Sequence, residues 1–196
     1  MVLGTVLVLA ALSLFLSNRQ EDSEAGTAAE KILTQVMEQI EAPFAEDKED
    51  KPSYPDPYDP TMTEVEIDGY AYVGYLSIPS LELELPVMSE WDYARLKIAP
   101  CRYTGSTKTG DFVICAHNYT RHFGPIRSLS IDDEIYFTDM DGVTWEYEMA
   151  VVDILQLTAV EDMTAGDYDL TLFTYAYGGK TSVTVRCDQT EILKQE

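Results

Sequence analysis

The sequence predicts a mainly β domain closed into a barrel and carried behind an N-terminal apolar segment. Three observations predict it. Short β-branched and aromatic runs follow one another from Thr63 onward: "YAYVGYLSIPS", "LELELPVM", "GDFVICAHNY", "DEIYFTDMDGVTWEYEMAVVDILQL" and "DLTLFTYAYGGKTSVTVRCD". Turn signals separate them, with Met140-Asp141-Gly142 and Gly178-Gly179 reading as hairpin connections. Only two short helical stretches, around Glu90–Lys97 and around Pro125–Leu129, interrupt roughly 130 residues of this pattern, which suits a closed barrel.

The elements before that domain read differently. "VLGTVLVLAALSLFL", Val2 to Leu16, is apolar apart from Gly4, Thr5 and Ser13. It is just under the roughly 17–25 residues of a membrane span. It lacks the basic start of a signal peptide, and no cleavage site stands out, although "SEAGTA" is permissive. It reads as an uncleaved signal anchor over residues 1–17, with a cleaved signal peptide as the alternative. Either places the rest of the chain on the extracytoplasmic face of a membrane. "SNRQEDSEAGTAAE" reads as polar and extended. A short amphipathic helix is expected over Ala28–Glu41, where Ile32, Val36 and Ile40 recur at i, i+4 and i+8. Thr27 is its expected N-cap, with Glu30 completing a capping box. That helix is either a stalk or packed on the domain. "APFAEDKEDKPSYPDPYDPTM", residues 42–62, holds five of the nine prolines and reads as a linker. The domains are thus 1–17, 18–62 and 63–196.

Composition narrows the function. The chain has 196 residues, is 45% hydrophobic and carries a net charge of −22, so it repels nucleic acid. No acidic loop has EF-hand spacing. Three cysteines, Cys101, Cys115 and Cys187, allow at most one internal disulfide. A Cys101–Cys187 pair is one option open to them.

Two residues stand out chemically. His117 directly follows the apolar strand "FVICA", a place from which an imidazole can act as acid, base or charge partner. It can equally be a structural hydrogen-bonder. Arg186 lies among β-branched neighbours on the last strand, where its head needs a partner or an open cleft.

These residues resemble the sortases, membrane-anchored cysteine transpeptidases of Gram-positive bacteria. The resemblance runs from about Gly69 to Cys187 and rests on "GYLSIPSLELELPV", "DFVICAHNYTRHFGPIRSL", "DEIYFTDMDG" and the closing pair. Sortases show a Thr-Leu-x-Thr-Cys strand, a histidine after a middle strand and an arginine on the last. Thr171, Leu172, Phe173 and Thr174 match that strand, and His117 and Arg186 match the partners. Asn118 and the tyrosine after it look closest to class B and related branches. The resemblance implies a barrel of about eight strands.

It also implies a chemistry. Family members cleave a sorting signal near a secreted protein's C-terminus through a thioester on the cysteine. An amine of cell-wall precursor or a pilin lysine resolves it. His117 would be the acid/base and Arg186 the oxyanion or peptide holder, with Thr174 and Asn118 contacting substrate. No metal or organic cofactor is implied. Some relatives cover the site with a lid, which residues 42–62 could form.

The nucleophile does not match: its position holds Tyr175. A phenol with pKa about 10 is only about a thousandth ionised at neutral pH. Its oxygen also lies several bonds beyond where a cysteine sulfur would sit. Both argue for a disarmed enzyme, and the retained His117 and Arg186 for one that still binds sorting peptides. Cys115, two residues before His117, shares its face if the strand continues that far and is the candidate replacement nucleophile. A non-catalytic scaffold is the third reading.

Overall fold

The computed structural model describes residues 2–41, 61–156, 158–165, 167–176 and 180–194. The expected Pro-rich linker or lid falls mostly at 42–60, outside the described residues, as does the Gly178-Gly179 turn.

The N-terminal elements merge. One continuous helix, α1, runs Val2–Glu41, where an anchor, an extended stretch and a short helix were expected. The intervening residues hold no proline and are rich in Ala, Glu, Gln and Arg, which propagate a helix once it is nucleated. Thr27 is therefore not an N-cap: its hydroxyl donates back to the Ser23 carbonyl at 3.0 Å, inside the helix. The second half of α1 packs on the domain. Ile32 and Val36 are buried against Ile67, Tyr72 and Met88, so the helix is not a free stalk. The first half is bare, with the side chains from Leu14 to Leu16 57–67% exposed. Among the described residues no helix is long and apolar enough to cross a membrane.

Nine strands follow among the described residues: β1 Val65–Ile67, β2 Tyr70–Ile78, β3 Leu83–Met88, β4 Cys101–Thr104, β5 Phe112–Ala116, β6 Glu134–Asp139, β7 Val143–Gln156, β8 Leu170–Tyr175 and β9 Thr181–Lys194. They form one sheet in the order β1-β2-β3-β4-β5-β8-β9-β7-β6, and β6 pairs back onto β2. The strands from β2 to β9 thus make a ring of pairings, with β1 attached outside it. A 4-residue helix, α2, Val160–Met163, lies between β7 and β8. The two expected helical stretches are short 3-10 turns, Arg95–Lys97 and Ile126–Ser128.

Turn chemistry fixes the hairpins. Asp68 and Gly69 take φ 52° and 83°, the left-handed pair that joins strands tightly, between β1 and β2. Asp139 organises the β6–β7 turn: its carboxylate accepts the Asp141 and Val143 amides at 3.0 Å and the Trp145 indole at 3.1 Å.

The sheet is buried on both faces around β5 and β8, so β5 reads as an unbroken apolar run and β8 as apolar residues broken only by threonines. One face sends Phe112, Ile114, Leu170 and Leu172 into a core with Phe137, Tyr147, Val185 and Cys187. The other sends Val113, Cys115 and Phe173 into a second core with Cys101, Tyr72 and α1. All three cysteines are free and buried. Cys101 and Cys187 sit in different cores, which rules out the pair considered from sequence.

Candidate functional site

β5 and β8 run parallel with Ala116 beside Thr174, so His117 and Tyr175 are the next residues out of two adjacent strands. The Thr174 hydroxyl donates to the Ala116 carbonyl at 2.8 Å. Thr174 is itself buried, and this bond ties the two strand ends together.

His117 is half-buried and stacked on Tyr119, with ring centroids 3.8 Å apart and planes at 18°. Burial lowers its pKa below the ordinary value, and Lys97 pushes the same way. Glu21, Asp22 and the adjacent Asn118 side chain oppose them. Asn118 therefore bears on the imidazole. The Nδ1 atom of His117 is buried without a hydrogen-bond partner.

Those carboxylates belong to α1, which crosses the loop after β5. The Tyr119 hydroxyl donates to Glu21 at 3.5 Å, Thr120 donates to Asp22, and Arg121 pairs with Glu30. His122 lies fully buried beneath α1 next to the Ala25 backbone, and burial drives its pKa down to about 4.

Tyr175 ends a row of aromatic rings. It meets Phe173 edge-on at 6.0 Å, Phe173 meets Tyr103 at 5.2 Å, Tyr103 meets Trp91 at 5.2 Å, and Trp91 meets Tyr93 at 5.9 Å. Tyr93 is the exposed end, Phe173 the buried floor. Burial raises the Tyr175 pKa, helped by Tyr93, Cys115 and Tyr103, so the phenol stays protonated at neutral pH. The sequence did not single out Trp91, Tyr93 or Tyr103. Their only sign was a cluster of aromatics in loop and edge positions.

Arg186 is not brought to this place. On the β8–β9 ladder it stands opposite Thr171, whereas Tyr175 stands opposite Ser182. Its guanidinium is buried and committed elsewhere. It donates to the Asp162 carbonyl and, at 3.3 Å, to the Met163 carbonyl, both at α2. Its Nε lies 3.6 Å from the Asp153 carboxylate, and its head covers the Tyr168 ring at 5.6 Å. Of the partner or open cleft that this arginine was expected to need, the structure supplies partners: it pins α2 to β9. Leaving it unpaired would be costly, and α2 supplies the partners.

Cys115 shares a core with Tyr175, but β5 ends at Ala116, one residue short of His117, so strand alternation does not carry Cys115 to the imidazole. It is also 2% exposed, and burial pushes its thiol well above the ordinary range. Such a thiol is not a nucleophile at neutral pH. Among the described residues no group of three or more His, Cys, Asp or Glu could hold a metal ion. A cavity of about 570 Å³ lies between α1 and the β2–β3 turn, lined by Leu33, Leu81, Glu82 and Arg121 among others, and His117 and Tyr175 are not part of it.

Comparison with known proteins places this architecture. The sortase domain family matches residues 76–187. Sortase A of Bacillus anthracis is 31% identical over 128 residues, covering 59% of this chain and 59% of the relative. This chain thus spans about 59% of that relative's length. Sortase C-3 from Streptococcus pneumoniae superposes with a TM-score of 0.59 at 22% identity, over 91% of this chain and 86% of that one. Sortase A from Corynebacterium diphtheriae gives 0.58 at 21%, over 65% and 64%. Sortase C from Clostridium perfringens SM101 gives 0.55 at 20%, over 88% and 90%. With the family matched over more than half its length, on a sheet of sortase fold, this chain belongs to the sortase family.

Proposed function

We propose that this protein is a sortase without sortase turnover, which binds sorting-signal peptides at the end of β5 and β8 but does not cleave them. Tyr175 occupies the place of the family's cysteine, so the thioester step has no thiolate. One observation carries the reading: the side chain in that place is a half-buried, protonated phenol set into an aromatic row. Phenols are poor nucleophiles when protonated, whereas an aromatic row with one exposed end suits an extended peptide with apolar side chains. Arg186 supports the same reading, because its donors are spent on α2 and Asp153 rather than on an oxyanion.

The ring of pairings from β2 to β9 supports a closed barrel. The bare apolar surface of α1 between Val6 and Leu16 supports attachment to a membrane, with the domain on the extracytoplasmic face. The partners are then the sorting signal of a secreted protein and, in an active relative's reaction, a cell-wall or pilin amine. No cofactor enters this reading. One observation favours a pure scaffold: the Tyr175 ring packs on Phe173 where a scissile peptide would lie.

The test is a panel of sorting-motif peptides offered to the wild type, read by cleavage and by fluorescence anisotropy. Binding without cleavage is the expected result. Cleavage by the wild type would sink the reading, and absence of binding to every motif would hand it to the scaffold.

A further inference from the structure

We propose that Cys101 and Cys115 are a disulfide site: a cross-strand bond between them staples β4 to β5 while the chain folds. The two residues stand directly opposite each other on the antiparallel β4–β5 ladder. Opposed residues in such a ladder have Cα atoms about 4.5–5.5 Å apart, within the roughly 4.4–6.8 Å that a disulfide spans. Their side chains enter the same core, on the same face. The Cys115 thiol already leans across the ladder, 3.5 Å from the Cys101 carbonyl. Cys187 has no such partner: it pairs across strands with Leu170 and Met149, in the other core.

The site is also where the sheet needs a staple. β4 is 4 residues long and meets β3 through a single residue pair, Met88 with Cys101. Its register with β5 is broken between Arg102 and Thr104. A bond from Cys101 to Cys115 would fix this strand to β5, the strand that delivers His117.

Burial sets the timing. Cys101 is 0% and Cys115 2% exposed, so the folded thiols are shielded from oxidants and reductants alike. The bond must form before β4 and β5 finish packing. The oxidant is a disulfide, either a small molecule such as oxidised glutathione or an exported dithiol oxidase. One cysteine thiolate attacks a sulfur of that disulfide and releases one thiol. The second cysteine then attacks the mixed disulfide and releases the other. Two cysteine thiols lose two electrons and two protons, and one external disulfide becomes two thiols.

The experiment refolds the full-length chain from denaturant in a mixture of reduced and oxidised glutathione. Acid quenching, alkylation under denaturing conditions and peptide mapping then count and place the thiols. The expected result is one alkylated cysteine, Cys187, and a linked peptide pair containing Cys101 and Cys115. The oxidised form should melt roughly 5–10 °C above the same chain refolded with excess reductant. Cys187→Ser should still form the bond, which separates it from scrambling. Alkylation of all three cysteines after oxidative refolding, or a linked pair that includes Cys187, would overturn the proposal. Peptide cleavage plays no part in the readout, so the outcome is independent of the function proposed above.

Discussion

Tyr175 stands across from Ser182 on the β8–β9 ladder, while Arg186 stands across from Thr171, four residues further along. At about 3.3 Å per residue that separation is roughly 13 Å, too far for one guanidinium to serve a reaction at position 175. Supplying a thiol at position 175 alone is therefore predicted to give little activity. Tyr175→Cys should cleave sorting peptides only slowly. Tyr175→Cys with Ser182→Arg, which puts a cation directly opposite, should cleave at least about ten times faster, a gain of ~1.4 kcal/mol in the barrier. Single-turnover cleavage of a labelled peptide, with circular dichroism confirming that the buried Ser182 position accepts the larger side chain, measures the difference. Equal rates for the two variants would show that the ladder partner of Tyr175 is irrelevant.

Arg186 is predicted to matter for stability and not for peptide recognition. Its loss would leave the Asp162 and Met163 carbonyls without their donor and Asp153 without its nearest cation. Arg186→Ala should lower unfolding free energy by about 2–3 kcal/mol, with Asp153 contributing little because it is partly exposed to solvent. Urea denaturation gives the value. Anisotropy titration below the transition should give an unchanged peptide affinity, and a selective loss of binding in a fully stable variant would return Arg186 to the site.

Acid should weaken the fold through His122. Its pKa is about 6.5 in the unfolded chain and about 4 when buried beneath α1. Between those values the unfolded chain binds a proton that the folded chain refuses. The stabilisation is therefore complete above about pH 6.5 and is lost as pH falls toward 4, by ~3 kcal/mol in all. The lowered pKa of His117 acts in the same direction. Urea midpoints at pH 7 and pH 4.5 should converge in His122→Gln relative to the wild type. An identical acid loss in both proteins would assign it to other groups.

Ring closure is predicted to hinge on Gly74. It takes φ 148° and pairs with Asp139 of β6, and a Cβ placed there would sit 2.1 Å from the Thr138 carbonyl oxygen. Neither the strand nor that carbonyl can retreat without breaking the β2–β6 pairing. Gly74→Ala should cost about 3 kcal/mol or more, visible as a fall in melting temperature. An unchanged melting temperature would mean that β6 can slide.

Much of the fold was legible because its strands carry their burial openly. "FVICA" is apolar throughout and "LTLFT" mixes apolar residues with β-branched threonines, and the Asp141-Gly142 hairpin announces itself. The long helix was not legible, since the polar stretch from Ser17 to Glu30 has no periodic apolar stripe until Ala25 and Ala29 meet the domain. At the site, the sequence placed His117 and Tyr175 each at a strand end, but only the parallel pairing of β5 with β8 sets the two side by side. The fate of Arg186 was not legible either, because it depends on register: only the pairing of Tyr175 with Ser182 shows how far along β9 the arginine lies. The bond from the Thr174 hydroxyl to Ala116 was not legible for a related reason, since it reaches a neighbouring strand that sequence cannot see.

The junction of β3 and β4 gives the molecule a place to breathe. A single residue pair and the Met88 amide to the Pro100 carbonyl at 2.9 Å close it, whereas each of the ring's other ladders carries at least three pairs. Parting that seam would turn the ring into an open sheet at little expense, with every other ladder intact. Two raw edges would then face solvent, available to capture an extended segment from another molecule. Within the ring, amide hydrogen exchange should be fastest at Val87, Met88, Cys101 and Arg102, before any of the long β7–β9 ribbon is touched.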